Sequence, residues 1–152
     1  MLRSFLSIAA VVILCGLPDL VLSESGSKME DTRLVQKDQA RENAVGETVV
    51  REYFTSAQVP NVGLATAIIK GAHPPKDKGT WAVNERVDEI LYVIDGTAKI
   101  VYKDGVTFEV GKQSAVYLPL GKKYRIEDAK DLRIVIATGP AWFPDQHKWS
   151  SD

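Results

Sequence analysis

Cysteine and histidine are nearly missing from this chain: one Cys and two His occur in 152 residues. The single cysteine, Cys15, lies in an apolar stretch near the start, so no disulfide framework holds the fold. An excess of either charge is also absent. Nineteen Lys and Arg stand against 20 Asp and Glu, a formal charge of -1. That balance removes the general electrostatic case for nucleic acid or an acidic membrane surface. No Asn-x-Ser/Thr sequon and no internal repeat occur. What is present is ordinary globular composition, 45% apolar and 26% charged, at a length that suits one core.

The ends of the reading frame differ in character. Arg3 precedes an uncharged, mostly apolar run from Phe5 to Pro18, and Val21-Leu22-Ser23 follows with small residues where a signal peptidase cuts. Residues 1–23 are therefore expected to be a signal peptide and the mature chain to begin at Glu24, secreted or periplasmic. The run is short of the roughly 20 apolar residues a membrane span needs, although an uncleaved anchor is the rival reading. Leu14 before Cys15 is too large for a good lipoprotein site. Residues 24–46 are rich in Ser, Gly, Lys, Asp, Glu and Gln, and read as a polar, flexible arm. Met29 to Asn43 would suit a polar helix, but it has no apolar stripe to bury.

Residues 47–152 read as strands. The runs are Thr48–Phe54, Leu64–Lys70, Val87–Ile94, Thr97–Lys103, Val106–Val110, Ser114–Leu118, Lys122–Glu127 and Leu132–Thr138. Asp95-Gly96 and Asp104-Gly105 are expected to turn hairpins between them. About eight short strands with regular turns predict an all-β sandwich or barrel. Within Val87–Ile94 both faces are apolar, and Glu89 shares the face of Leu91 and Val93. Tyr124 likewise pairs with Ile126 against Lys123, Arg125 and Glu127. Alternation thus aims Glu89 and Tyr124 at the interior. A carboxylate there must be hydrogen-bonded, metal-bound or raised in pKa.

Glu89 and Gly96 have the spacing that closes the first conserved motif of the cupins, and Pro119-Leu120-Gly121-Lys122-Lys123-Tyr124 resembles their second motif. The glycine that opens the second motif is replaced near Gln113, with Gly111 close by. The resemblance covers about 64–139 and implies a double-stranded β-helix, or jelly-roll, barrel. Metal-binding cupins add two histidines before the glutamate and one at the end of the second motif. This chain has Ala82, Val83, Asn84 and Glu85 before Glu89, and Tyr124 in the last place. The resemblance is therefore to metal-free cupins, including those of the ethanolamine-utilisation type, and implies no cofactor and no tightly held metal. Gly139-Pro140-Ala141-Trp142-Phe143-Pro144-Asp145-Gln146 is similar to the ending of uncharacterised small cupins.

These residues imply an exported barrel that binds a small polar molecule, a sugar, sugar acid or carboxylic acid. Glu89 would accept hydroxyl protons, Tyr124 would donate, and Asn84 would fix orientation at the mouth, between walls of Leu91, Val93, Ile100 and Ile126. A structural Glu89–Tyr124 pair without ligand is the plainer alternative. The second functional reading is an isomerase, epimerase or lyase using Glu89 as acid and base. A third is a homodimeric interaction module, since cupins commonly pair. His73, in a His-Pro-Pro loop, and His147 are expected at the surface. Trp142 and Phe143 suit a barrel-end seal, a dimer contact or a sugar stack. The donor set yields a direct expectation: a chelator leaves the melting temperature unchanged, because no folded-state metal is lost. About one transition metal per chain by elemental analysis, removed with loss of stability, would overturn it.

Overall fold

The computed structural model describes residues 33–151. The expected leader, its expected cleavage site and the first part of the expected arm lie outside the described residues. Nine strands form one curled antiparallel sheet: β1 Arg41–Val45, β2 Thr48–Phe54, β3 Gly63–His73, β4 Trp81–Asn84, β5 Asp88–Tyr102, β6 Thr107–Val110, β7 Ala115–Leu118, β8 Tyr124–Gly139 and β9 His147–Ser150. A single 3-10 turn, Pro144–Gln146, precedes β9. The all-β expectation holds. Over 33–43 there is no helix, and β1 instead pairs with β2 from Arg41 onward.

Two long strands organise the barrel. β8 pairs along its length with both β3 and β5, and its first residue also meets β4. The eight runs read from the sequence split these strands, because each contains an interruption that is a bend rather than an end. Asp104-Gly105 does turn a hairpin: Tyr102 N–H donates to Val106 O at 2.8 Å, and Asp104 Oδ1 accepts from Val106 N–H. Asp95-Gly96 does not. β5 runs straight through it, with register breaks against β8 between Val93 and Lys99.

The bends also explain which face each residue takes. In β5, Glu89, Leu91 and Val93 are buried before Gly96, and Ala98, Ile100 and Tyr102 after it. The inward set passes from odd to even numbers across Gly96, as an inserted bulge residue requires. In β8 the inward set passes from Tyr124 and Ile126 to Ala129 and then to Leu132 and Ile134. Each change brackets a residue with positive φ, Asp128 at 53° and Asp131 at 46°. Short polar residues tolerate that conformation best after glycine. Gln113 has φ 67°, so the place where the second motif lacks its glycine keeps a left-handed backbone.

Ile100, Leu118, Leu132, Ile134 and Val93 are among the most deeply buried side chains of the hydrophobic core. The outer face of β5 is not covered in the single chain: Ile90, Tyr92 and Ile94 are 49%, 45% and 45% exposed, with Tyr117 beside Ile90 on β7.

Gly96 has the least latitude of the bend residues. Its φ is 82°, and a Cβ there would stand 2.5 Å from Asp131 O and 2.6 Å from Lys130 O. Both neighbours are backbone and cannot swing aside. Gly96→Ala is expected to lower stability by about 2–4 kcal/mol, from strain at positive φ and the clash together. Urea denaturation measures it, and a loss under about 0.5 kcal/mol would show that the bend is not tightly held.

Candidate functional site

The barrel encloses a cavity of about 720 Å³. Ala67 and Ile69 of β3, Leu91 of β5, and Ile126, Ile134 and Ile136 of β8 make its apolar wall. Of the expected wall residues, Leu91 and Ile126 face it, whereas Val93 and Ile100 pack in the core behind. Of the three polar residues chosen from the sequence, Glu89 and Tyr124 reach the cavity and Asn84 does not line it. The mouth carries charge of both signs, from Arg41, Glu52, Lys78 and Lys148. Glu52 meets Arg41 at 3.9 Å, and burial pushes its carboxyl upward against the Arg41 charge.

Glu89 sits in β5 opposite Leu118 of β7 and Thr138 of β8, and is 7% exposed. Its side-chain partner is Asn84, whose Nδ2 donates to Glu89 Oε2 at 2.7 Å. Burial pushes the carboxyl up to about 7, and the Asn84 bond opposes it. One N–H offsets only part of the cost of stripping water from a carboxylate. Glu89 is therefore poised to gain or lose a proton near neutrality.

Asn84 takes a different place from the expected mouth position. It ends β4, is 1% exposed, and stands behind Glu89 rather than on the cavity. Its Oδ1 accepts from Gln146 Nε2 at 3.2 Å and lies 2.8 Å from His147 Nδ1. β9 delivers that histidine, because Asn84 and His147 are register partners across β4 and β9. Trp149 Nε1 donates to His147 Nε2 at 2.9 Å. Indole only donates, so Nε2 is the bare nitrogen and Nδ1 carries the proton given to Asn84.

Tyr124 opens β8 in register with Ala82 and Tyr102. Burial, then the nearby Glu89 and Tyr102, hold its hydroxyl well above the ordinary phenol range, so it stays a neutral donor. In place of the Glu89–Tyr124 pair that was the alternative reading, Glu89 takes its side-chain bond from Asn84.

Neither histidine is exposed as the sequence suggested; both are half-buried along the cavity. His73 closes β3 and packs against His147 at 5.7 Å between ring centroids and edge-on to Trp149 at 6.4 Å. Burial lowers His73 to about 4, and burial followed by the His73 neighbour lowers His147 to about 4. Both are neutral rings at pH 7. Trp142 joins the cavity lining, while Phe143 lies under the Arg86 guanidinium. Gln146, His147 and Trp149 were missed. A usable signal existed in His147-Lys148-Trp149, an alternating triplet just beyond Pro144.

For a metal the donors present fit poorly. Both nitrogens of His147 are engaged by Trp149 and Asn84. Among the described residues, no group of three or more His, Cys, Asp or Glu stands together in a metal-binding arrangement.

The buried groups couple stability to pH in opposite directions. Glu89 titrates at about 7 folded against 4.5 unfolded, so its contribution is fully present below pH 4.5 and is lost as pH rises through 7. His73 and His147 titrate at about 4 against 6.5, so theirs is present above 6.5 and lost as pH falls through 4. Glu89→Gln removes the first effect alone. The stability of that variant minus wild type should therefore grow by roughly 2–3 kcal/mol from pH 5 to pH 8. Urea denaturation at the two pH values measures it, and a constant difference would place Glu89 back in the ordinary carboxylate range.

No family model and no curated protein matches the sequence. Solved structures do. A His-to-Gln variant of Streptomyces Pac13 with uridine aligns at TM-score 0.64 and 12% identity, over 77% of this chain and 89% of that one. Pac13 is described as a nucleoside dehydratase with a β-barrel. Ectoine synthase from P. lautus aligns at 0.60 and 16% identity, over 72% and 78% of the two chains. The polyketide cyclase RemF from Streptomyces resistomycificus aligns at 0.56 and 18%, over 74% and 82%. At these identities the likeness concerns fold alone, and it agrees with the strand order and the two bent central strands: the chain folds as a cupin-type β-barrel.

Proposed function

We propose that the barrel binds one small polar molecule and that Glu89 moves a proton on it, as an acid–base catalyst that uses no metal. The single observation that carries this reading is a carboxyl at about 7 on the wall of a 720 Å³ apolar cavity, with one oxygen held by Asn84. A general base works best when its pKa lies near the working pH. Burying an acid here costs more in desolvation than the single Asn84 bond returns, and a strongly raised carboxyl on a cavity wall marks a candidate functional group.

The reaction class that suits one acid–base group is an elimination. Glu89 as carboxylate takes a proton from carbon, and that electron pair becomes a C=C bond. The neighbouring C–O bond breaks, and the departing hydroxide takes the same proton back from Glu89 and leaves as water. Tyr124 stays protonated and donates a hydrogen bond to a substrate oxygen. The dehydratase described for Pac13 and the cyclase described for RemF support small-molecule chemistry in a barrel of this shape. Uridine beside Pac13 makes nucleosides, with sugars and sugar acids, the first ligands to try. Isomerisation or epimerisation uses the same first proton transfer.

The reading includes export, from the leader at 1–23, and pairing of two copies through the exposed Ile90, Tyr92, Ile94 and Tyr117. The test is a panel of nucleosides, sugar acids and hydroxy acids, followed by thermal shift and by absorbance of a new C=C bond. Wild type should turn over a panel member with a rate rising through about pH 7, as Glu89 loses its proton. Glu89→Gln should keep the thermal shift and lose at least about 100-fold in rate. Equal turnover by the Gln variant, or binding with no turnover by wild type, would overturn the catalytic reading. Silence across the panel in both assays would remove binding as well.

A further inference from the structure

We propose that His147, fixed by Trp149, is a positioning residue that holds the Asn84 amide in one orientation and so decides which oxygen of Glu89 meets the ligand. The proposal rests on the acid–base reading of Glu89 and assigns the group that aims it.

An asparagine amide has two faces of nearly equal shape and opposite hydrogen-bonding character. With its NH₂ toward Glu89, Asn84 stabilises the carboxylate. With its carbonyl there, it would repel the charged form and favour the protonated one. The shape of the pocket does not choose between them, so the choice falls to whatever holds the other end. That end meets two groups. Gln146 Nε2 lies 3.2 Å from Asn84 Oδ1, and His147 Nδ1 lies 2.8 Å from it. A turned amide would set its own N–H groups against both of them and lose its bonds to Glu89 and His147; Gln146 can turn its unpartnered Oε1 to meet it, so His147 is the neighbour that decides.

His147 can serve only as one tautomer. Trp149 Nε1 lies 2.9 Å from His147 Nε2 and has nothing to accept with. The donors therefore all run one way, from Trp149 to His147 to Asn84 to Glu89. A protonated His147 would face the indole N–H with a second N–H and lose that bond, so the chain works with a neutral ring. Its buried position beside His73 favours that state. The outcome at Glu89 is geometric: Oε2 is tied to the amide, and Oε1 is the oxygen left for the ligand.

The other titratable and charged groups around the same cavity are Tyr124 from β8, His73 from β3, Glu52 from β2, Arg41 from β1, Lys148 from β9 and Lys78. None of them offers a hydrogen bond to Asn84, so the amide's orientation rests on Gln146 and His147.

The test combines nitrogen and carbon NMR on the full-length protein. Wild type should show His147 with a protonated Nδ1 and a bare Nε2 throughout pH 5 to 8. His147→Leu removes the donor, frees the amide to turn, and should move the Glu89 carboxyl midpoint upward from about 7. His147→Asn places an amide N–H near the position of Nδ1 and should return the midpoint toward wild type. Trp149→Phe keeps most of the packing and should let His147 sample its other tautomer. If the leucine variant does not fold, the wild-type tautomer and the Trp149→Phe spectrum still decide. A wild-type Nε2–H tautomer, or a Glu89 midpoint unchanged in a folded His147→Leu, would overturn the proposal. Failure of the catalytic reading is separate: it shows as turnover retained by Glu89→Gln, and it leaves these resonances as they were.

Discussion

A carboxyl group removed from water and given one amide N–H is the constraint on which this site depends. Asn84 approaches Glu89 at 2.7 Å, close enough for a charge-assisted bond, yet it supplies a single donor where water would supply several. Burial therefore outweighs the bond, and the proton is held to about pH 7. A second donor of similar quality would return Glu89 toward an ordinary acid. An apolar neighbour in place of Asn84 would push it further upward. The useful range lies between, and the geometry of one side chain sets it.

The barrel makes that environment through its bends. A regular two-residue alternation carried across all of β5 or β8 would turn half of each long strand inside out. Gly96 in β5, with Asp128 and Asp131 in β8, resets the phase so that apolar residues remain inward on both sides of each break. The same wall that stabilises the fold supplies the low-dielectric surroundings of Glu89. Stability and chemistry then share one cause, and β4 with β9 adds the polar support behind the acid.

The sequence revealed the fold class and the inward aim of Glu89 and Tyr124. It did so because alternation on a strand is a local property, visible within about six residues. The continuity of β5 was hidden, since Asp-Gly serves a hairpin and a bulge equally well and only the partner strand decides; that of β8 was hidden by the polar Asp128–Asp131 stretch, which reads as a turn. The place of Asn84 was also hidden. Two of its partners lie 62 and 63 residues away, at the end of a 3-10 turn and the start of a short strand that the sequence did not announce. His147 looked solvated because its alternation with Trp149 spans only three residues, and the whole strand is four residues long. His73 looked like a loop residue because the prolines after it do mark a turn, while the strand before it continues to the histidine itself.

The central claim is that Glu89 holds a proton in the folded protein at pH values where a free carboxyl has lost it. Infrared difference spectroscopy between pH 5.5 and pH 8.5 tests it most directly, through the C=O stretch of a protonated buried carboxyl. The account predicts such a band at pH 5.5, its loss with a midpoint near 7, and its absence in Glu89→Gln. A wild-type spectrum without that band at pH 5.5, or one in which the band persists unchanged in Glu89→Gln, would contradict it.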